Sequence, residues 1–258
     1  MTGTVLAPPL GWLPVWRRNF LVWRKLALPS ILGNLADPLI YMLGLGYGLG
    51  AMLPEIAGQS YVAFLAAGTV CASTMNAATF EALYSAFSRL HVQKTWEAIM
   101  NAPVSLDDVV AGELLWAATK ATLSGAAILL VMALLGFAHG AQALWVLPLI
   151  FLTGLAFAAL GLCVSAVAPS YDFFMYYFTL FITPMTLLSG VFFPLAQLPV
   201  AMQIAAQALP LTHAVALARP LLLGQAPPTV WPHVALLVAI AAIAFVGAVA
   251  LARHRLLK

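Results

Sequence analysis

The chain has 258 residues, of which 64% are hydrophobic and only 7% charged, with a formal net charge of +3. A soluble domain carries roughly a quarter charged residues, so this composition excludes an ordinary water-soluble enzyme and leaves an all-α integral membrane protein with room for about six spans of roughly 20 residues. Seventeen prolines, eighteen glycines and the lack of strictly alternating runs argue against a membrane β-barrel. The basic residues gather beside apolar segments, which fits membrane topology and not nucleic-acid binding.

Residues 1–29 read as a cytoplasmic N-terminus, and residues 30–258 as one six-span domain. The first fifteen residues hold no Lys or Arg, so the charged region of a cleaved signal peptide is missing and the N-terminus is expected to be retained. From Trp12 to Ala27, helical spacing puts Trp12, Trp16, Phe20 and Trp23 on one arc and Arg17, Arg18, Arg24 and Lys25 on another. That pattern predicts an amphipathic helix in the cytoplasmic interface, with its tryptophans at headgroup level and its cations facing anionic lipid or a docked cytoplasmic partner.

Six apolar stretches follow: 30–53, closed by Pro54; 61–83; about 114–138; 144–168; 173–193; and about 231–252. Ten of the eleven Lys and Arg residues then fall on one side, including Arg89, Lys94, Lys120 and Lys258, with Arg219 the exception. The positive-inside rule places both termini in the cytoplasm, which an even number of spans requires. Within the spans Asn34, Asp37, Asn76, Glu81 and Lys120 are costly in hydrocarbon and are expected to face the bundle, water or the interface. Gly44, Gly46, Gly48 and Gly50 form two overlapping GxxxG patterns that permit close helix packing. Cys71 and Cys163 sit in separate apolar stretches and read as small buried hydrophobes.

Two connections are long. In 84–113, Val92, Trp96, Ile99 and Met100 share one helical face, Pro103 breaks the helix, and Ser105 with Asp108 resembles a capping box opening the next one. The expected element is a short helix projecting into the cytoplasm, with Arg89, Lys94 and Glu97 fixing its register against a partner. In 194–230 the chain is too apolar for an aqueous loop, yet Pro194, Pro199, Pro210 and Pro220 cut it into pieces too short to span. Re-entrant or interfacial helices on the outer side fit that length, lining or capping a route through the bundle.

Catalytic machinery is missing from the sequence. No Gly-Lys pair exists for a GxxxxGK[ST] phosphate loop, and the five histidines form no HExxH. No GxSxG elbow occurs, and no metal-ligand spacing is present. His213 reads as a structural hydrogen-bonding residue in the re-entrant region.

Three stretches carry a resemblance: WRRNFLVWRKLALPSILGNLADPLIYMLGLGYGLG, KTWEAIMNAPVSLDDVVAGE, and LSGVFFPLAQLP with LPLTHAVALARPL. Together they resemble the nodulation-factor exporter permeases (nodulation protein J family) of the type-2 ABC exporters, over nearly the whole chain. The resemblance implies a bacterial inner-membrane permease that pairs with a second copy of itself and binds two copies of a cytoplasmic ABC ATPase. ATP and Mg²⁺ would sit on that partner and no cofactor on this chain. The cargo would be a lipid-linked or amphipathic glycan, or a hydrophobic small molecule. It implies a coupling helix over Leu90 to Asn101, with Leu90, Lys94, Thr95, Trp96, Glu97, Ile99 and Met100 as the coupling residues. Trp16, Arg17, Arg18, Trp23, Arg24 and Lys25 would form the interface helix. The candidate substrate pathway is Asn34, Asp37, Tyr41, Asn76 and Tyr177, and the candidate outer gate is Phe192, Phe193, Pro194 and His213. A different class, an ion-coupled transporter or channel, would use Asp37 and Glu81 as a proton path.

Overall fold

The computed structural model describes residues 10–52, 55–56 and 58–256, and the backbone alone at Asp37. The Asp37 side chain, Pro54 and Lys258, all invoked above, lie outside the described residues. With no water to satisfy backbone groups, apolar segments of this length form helices. Five described helical stretches are long and apolar enough to cross a membrane.

The chain starts with α1 (Trp12–Trp23) and passes through a 3-10 turn at Arg24–Leu26 into α2 (Ala27–Gly50). A two-residue antiparallel hairpin, Glu55–Ile56 with Gln59–Ser60, leads into α3 (Tyr61–Phe80). Helical structure continues past α3 as two π-helical segments, Glu81–Ala86 and Ser88–Val92. Lys94, the one described non-glycine residue with positive φ (52°), breaks the chain before α4 (Thr95–Met100). The long α5 (Leu106–Leu134) follows, then α6 (Val146–Val167). A shorter stretch combines α7 (Phe173–Tyr177), a π turn at Phe178–Ile182 and α8 (Thr183–Leu188). Beyond it come α9 (Val200–Gln207) and α10 (Pro210–Leu222), which meet at 89°, and finally α11 (Trp231–Leu256).

The core sits on α6, whose small residues let neighbours approach closely. Gly154 faces the Ala118 backbone of α5, and Gly161 faces the Ala82 methyl beyond α3. A side chain at either position would push the helices apart, the usual role of small residues where helices pack in lipid. Gly46 and Gly50 likewise meet Val62 and Tyr61, whereas Gly44 and Gly48 have nothing within 4 Å.

Several boundaries differ from the sequence reading. The third span begins at Leu106, not near Leu114, because the Ser105–Asp108 capping box forms in full. Ser105 Oγ accepts from Asp108 N at 3.1 Å, and Asp108 Oδ2 accepts from Ser105 N at 3.3 Å. With α3 prolonged to Val92, the expected 84–113 loop shrinks to the stretch between Val92 and Leu106 around α4. Val92 does not share a face with Trp96: it is 63% exposed and belongs to the preceding helix, because the left-handed Lys94 reorients the chain. Pro220 does not cut the outer segment either, since it is tolerated inside α10 near its C-terminus.

The bundle has two unlike ends. One carries Arg17, Arg24, Lys25, Lys94 and Arg253, with α4 among them; Arg253 pairs with Asp107 at the start of α5, and Arg255 caps the end of α6 by donating to Ala166 O and Ala168 O. The far end carries the 89° pair α9–α10, tied to the α5–α6 connection by His139 N donating to Leu222 O.

Candidate functional site

At the basic end Glu81 and Glu113 converge on Arg89, and Lys120, Trp116 and Trp96 bond those two carboxylates in turn. Glu81 and Glu113 are both buried. Arg89 donates from Nη2 to Glu81 Oε1 at 3.0 Å and from Nε to Glu113 Oε1 at 2.8 Å, while its Nη2 also bonds Glu113 Oε2. Lys120 Nζ donates to Glu81 Oε2 at 2.7 Å, and Trp116 Nε1 to Glu81 Oε1 at 2.8 Å. Trp96, the one buried residue of α4, donates from Nε1 to Glu113 Oε1 at 3.1 Å. Removing each ion from water costs several kcal/mol, which is offset only when geometry is good and the remaining lone pairs are bonded. Here they are: Glu81 also accepts from Ser85 Oγ at 2.9 Å. Glu81 and Lys120, expected to pair or reach for the interface, therefore pair inside the bundle.

The same node receives α1. Trp16, Phe20 and Trp23 all present their rings to Trp116 at 5.8–6.5 Å, and Trp16 Nε1 donates to Thr119 at 3.1 Å. Gly112 is required where Val15 and the Trp12 carbonyl press on α5, since a Cβ there would lie 2.6 Å from Val15. The aromatic arc expected at the headgroups is thus packed on α5, while Arg17, Arg24 and Lys25 remain exposed and Arg18 is half-buried. On α4 the division is similar. Lys94 and Glu97 are exposed, Thr95, Ile99 and Met100 are half-buried, and Leu90 at the end of the preceding helix is buried. The apolar face of α4 packs on its own bundle through the buried Trp96, with Ile99 and Met100 partly covered.

The second feature is a cavity of about 610 Å³ between α2, α3 and the α7–α8 stretch. Asn34, Tyr41 and Asn76 line it, three of the candidate pathway residues, together with Ser73, Phe80, Phe178 and Thr186. Asn34 Nδ2 donates to Ser124 Oγ at 2.7 Å, whereas Asn76 Oδ1 is buried without a partner among the described residues. Tyr177 does not line the cavity: it stacks on Phe181 at 5.6 Å, and the π turn brings Phe178 to the wall instead.

Val191 and Phe192 line the far end of this cavity. Phe192 meets Tyr41 edge-on at 5.9 Å. Phe193 and Pro194 are half-buried and off the wall. His213 lies apart from them: its Nδ1 is 2.7 Å from His233 Nδ1 and its Nε2 is 2.8 Å from Gln207 O, a structural tie between α10 and α11. Among the described residues no group of three or more metal-ligating side chains occurs.

The family model described as ABC-2 type transporter matches residues 12–223, from the start of α1 through α10. The chain belongs to the ABC-2 type transporter family. It is 52% identical to nodulation protein J of Rhizobium leguminosarum bv. viciae over 99% of both chains. It is also 52% identical to nodulation protein J of Rhizobium meliloti, covering 96% of this chain and 94% of that one. A more distant relative, the inner membrane transport permease YadH of Escherichia coli, is 25% identical over 73% of this chain.

The match spans the node, the cavity and the far-end turn of this ABC-2 permease, a multi-pass helical membrane protein with a transport role. Sequence reasoning missed Glu113, Trp116 and Ser124. A signal existed: Glu113, Trp116 and Lys120 recur at spacings of three and four, which places two charges and an indole on one face of an apolar helix.

Proposed function

We propose that this chain is the membrane half of an ATP-driven exporter, working as a pair of permeases with two copies of a cytoplasmic ATPase that supplies ATP and Mg²⁺. The basic end faces the cytoplasm of a bacterial cell, as the distribution of Lys and Arg supports, with both termini inside and α9–α10 outside. The observation that carries this reading is the hydrogen bond from Trp96 of α4 to Glu113 of α5. It fastens an exposed helix of six residues to a buried ionic node that α1, α3 and α5 all contact. A push on Lys94 or Glu97 therefore reaches the helices around the cavity without passing through a loop.

The cavity joins neutral amides and hydroxyls to aromatic walls, a lining suited to an amphipathic cargo such as a lipid-linked glycan or a hydrophobic small molecule. Asn34, Tyr41 and Asn76 line the route, and Phe192 stands at its outer end. An ion-coupled transporter would need Glu81 free to exchange a proton. Its carboxylate is instead committed to Arg89, Lys120, Trp116 and Ser85.

Coexpression with the ABC ATPase encoded nearest to this gene, followed by purification through a tag on the permease, tests the reading. Recovery of both chains, with ATP turnover that falls in Trp96→Ala, supports it. A permease that purifies folded and never retains the ATPase removes it.

A further inference from the structure

The far-end turn from Ser189 to Pro194 is held from three directions. Arg219 of α10 donates from Nη2 to Gly190 O at 2.7 Å, and its guanidinium carbon lies 3.7 Å above the Phe64 ring of α3. Tyr61 Oη donates to Phe192 O at 3.3 Å. Gly68 lets the Val191 backbone lie directly on α3, since a Cβ at Gly68 would sit 2.5 Å from Val191 O. Gly190 itself has φ +73°, so the turn is bent into a conformation that only glycine adopts freely.

Arg219 is poorly satisfied for so buried a cation. No carboxylate pairs with it among the described residues, and its Nε has no hydrogen-bond partner. A fully bonded guanidinium locks its surroundings, whereas one held by a single carbonyl and a ring face has fewer bonds to lose on leaving. Its hydrogen bond ends on the residue next to Val191 and two before Phe192, the pair that lines the far end of the cavity.

We infer that Arg219 is the releasable latch of the outer gate, a positioning residue that holds the Gly190–Phe192 turn across the cavity by its bond to Gly190 O and its seat on Phe64. This rests on the proposed reading of the cavity as the transport route. When the bond breaks, the turn can swing away from Tyr41 and the outer end opens.

The test is side-specific thiol labelling of the full chain in cells, with Cys71→Ala and Cys163→Ala as background and Ser73→Cys as the reporter in the cavity. A membrane-impermeant maleimide added outside is expected to label Ser73→Cys on the order of 10-fold faster when Arg219→Met removes the latch, the scale of one lost charge-assisted bond. Phe64→Leu, which removes the seat and keeps the bond, is expected to give a smaller rise. Arg219→Lys, which keeps the cation and a donor, should stay near the parent. Val92→Cys, exposed at the basic end, should label from inside-out vesicles at an unchanged rate in every variant, which certifies insertion. Labelling of Ser73→Cys within about twofold of the parent in an inserted Arg219→Met chain overturns the latch; if that variant fails to insert, a flat result in Phe64→Leu does so. Faster labelling with unchanged export upholds the latch and removes the cavity from the route, so the two failures read differently.

Discussion

Trp96 Nε1 lies 3.1 Å from Glu113 Oε1, across 17 residues of sequence, and this single bond joins the short basic-end helix to α5. Its donor and its ring have separable roles. Trp96→Phe keeps the apolar ring and leaves one lone pair of Glu113 unfilled, an expected loss of about 1–2 kcal/mol. Trp96→Ala also empties a buried indole site, an expected loss of about 3–5 kcal/mol. Thermal unfolding of the detergent-purified chain ranks the two, and ATP turnover of the coexpressed complex should fall with both, more in Trp96→Ala.

Arg89 neutralises two carboxylates at once, so its removal is expected to cost more than the pair it breaks. Arg89→Met leaves Glu113 without a cation and is expected to destabilise by about 3–5 kcal/mol. Adding Glu113→Gln to Arg89→Met should recover part of that loss, because the stranded charge disappears while the Trp96 bond retains an acceptor. A double-mutant cycle by thermal shift measures the coupling; additive losses would contradict the node.

Glycines at helix contacts should separate sharply by environment. Gly68→Ala would drive a methyl into the Val191 carbonyl and is expected to destabilise by about 1–3 kcal/mol. Gly44→Ala meets nothing within 4 Å and is expected to be neutral or stabilising by about 0.5–1 kcal/mol. Melting temperatures of the two proteins, purified side by side, decide the point.

Asn76 offers a test in which function and stability part. Asn76→Leu removes a buried amide oxygen that has no partner and fills part of the cavity with hydrocarbon. Stability is expected to hold or rise, while export falls at least several-fold because a polar contact on the proposed route is lost. Export measured in membrane vesicles against chain amount gives the answer; unchanged export would take Asn76 off the route.

Lys94 stands in the left-handed region at φ 52° without a glycine's freedom. Lys94→Gly is expected to stabilise the α3–α4 junction by about 1 kcal/mol, because the strain of a side chain at positive φ is removed. Lys94→Pro cannot adopt that angle and should lose the α4 fold and the Trp96 fluorescence of the buried site.

What could be read in advance follows the range of the interaction. The Ser105–Asp108 capping box is written in four neighbouring residues and forms as read. The helical arc of Trp16, Phe20 and Trp23 is equally local, yet its destination is not: Trp116 lies about 100 positions on, so local spacing points the arc to lipid while the fold packs it on protein. Spacing puts Val92 on one face with Trp96, since it cannot announce the left-handed lysine between them. Asn34 and Asn76 are polar residues in hydrocarbon, and burial cost explains why both face the cavity, beside Tyr41. Tyr177, a pathway candidate beside them, turns away, since the π turn after it rotates the face presented to the wall.

The node of Glu81, Glu113, Arg89 and Lys120 sums to zero formal charge. An unbalanced charge carried across the membrane would exchange roughly 2.3 kcal/mol with every 100 mV of potential. A neutral quartet moving as a body does almost no electrical work, so the coupling motion proposed for α4 should cost the same in an energised cell as in a depolarised one.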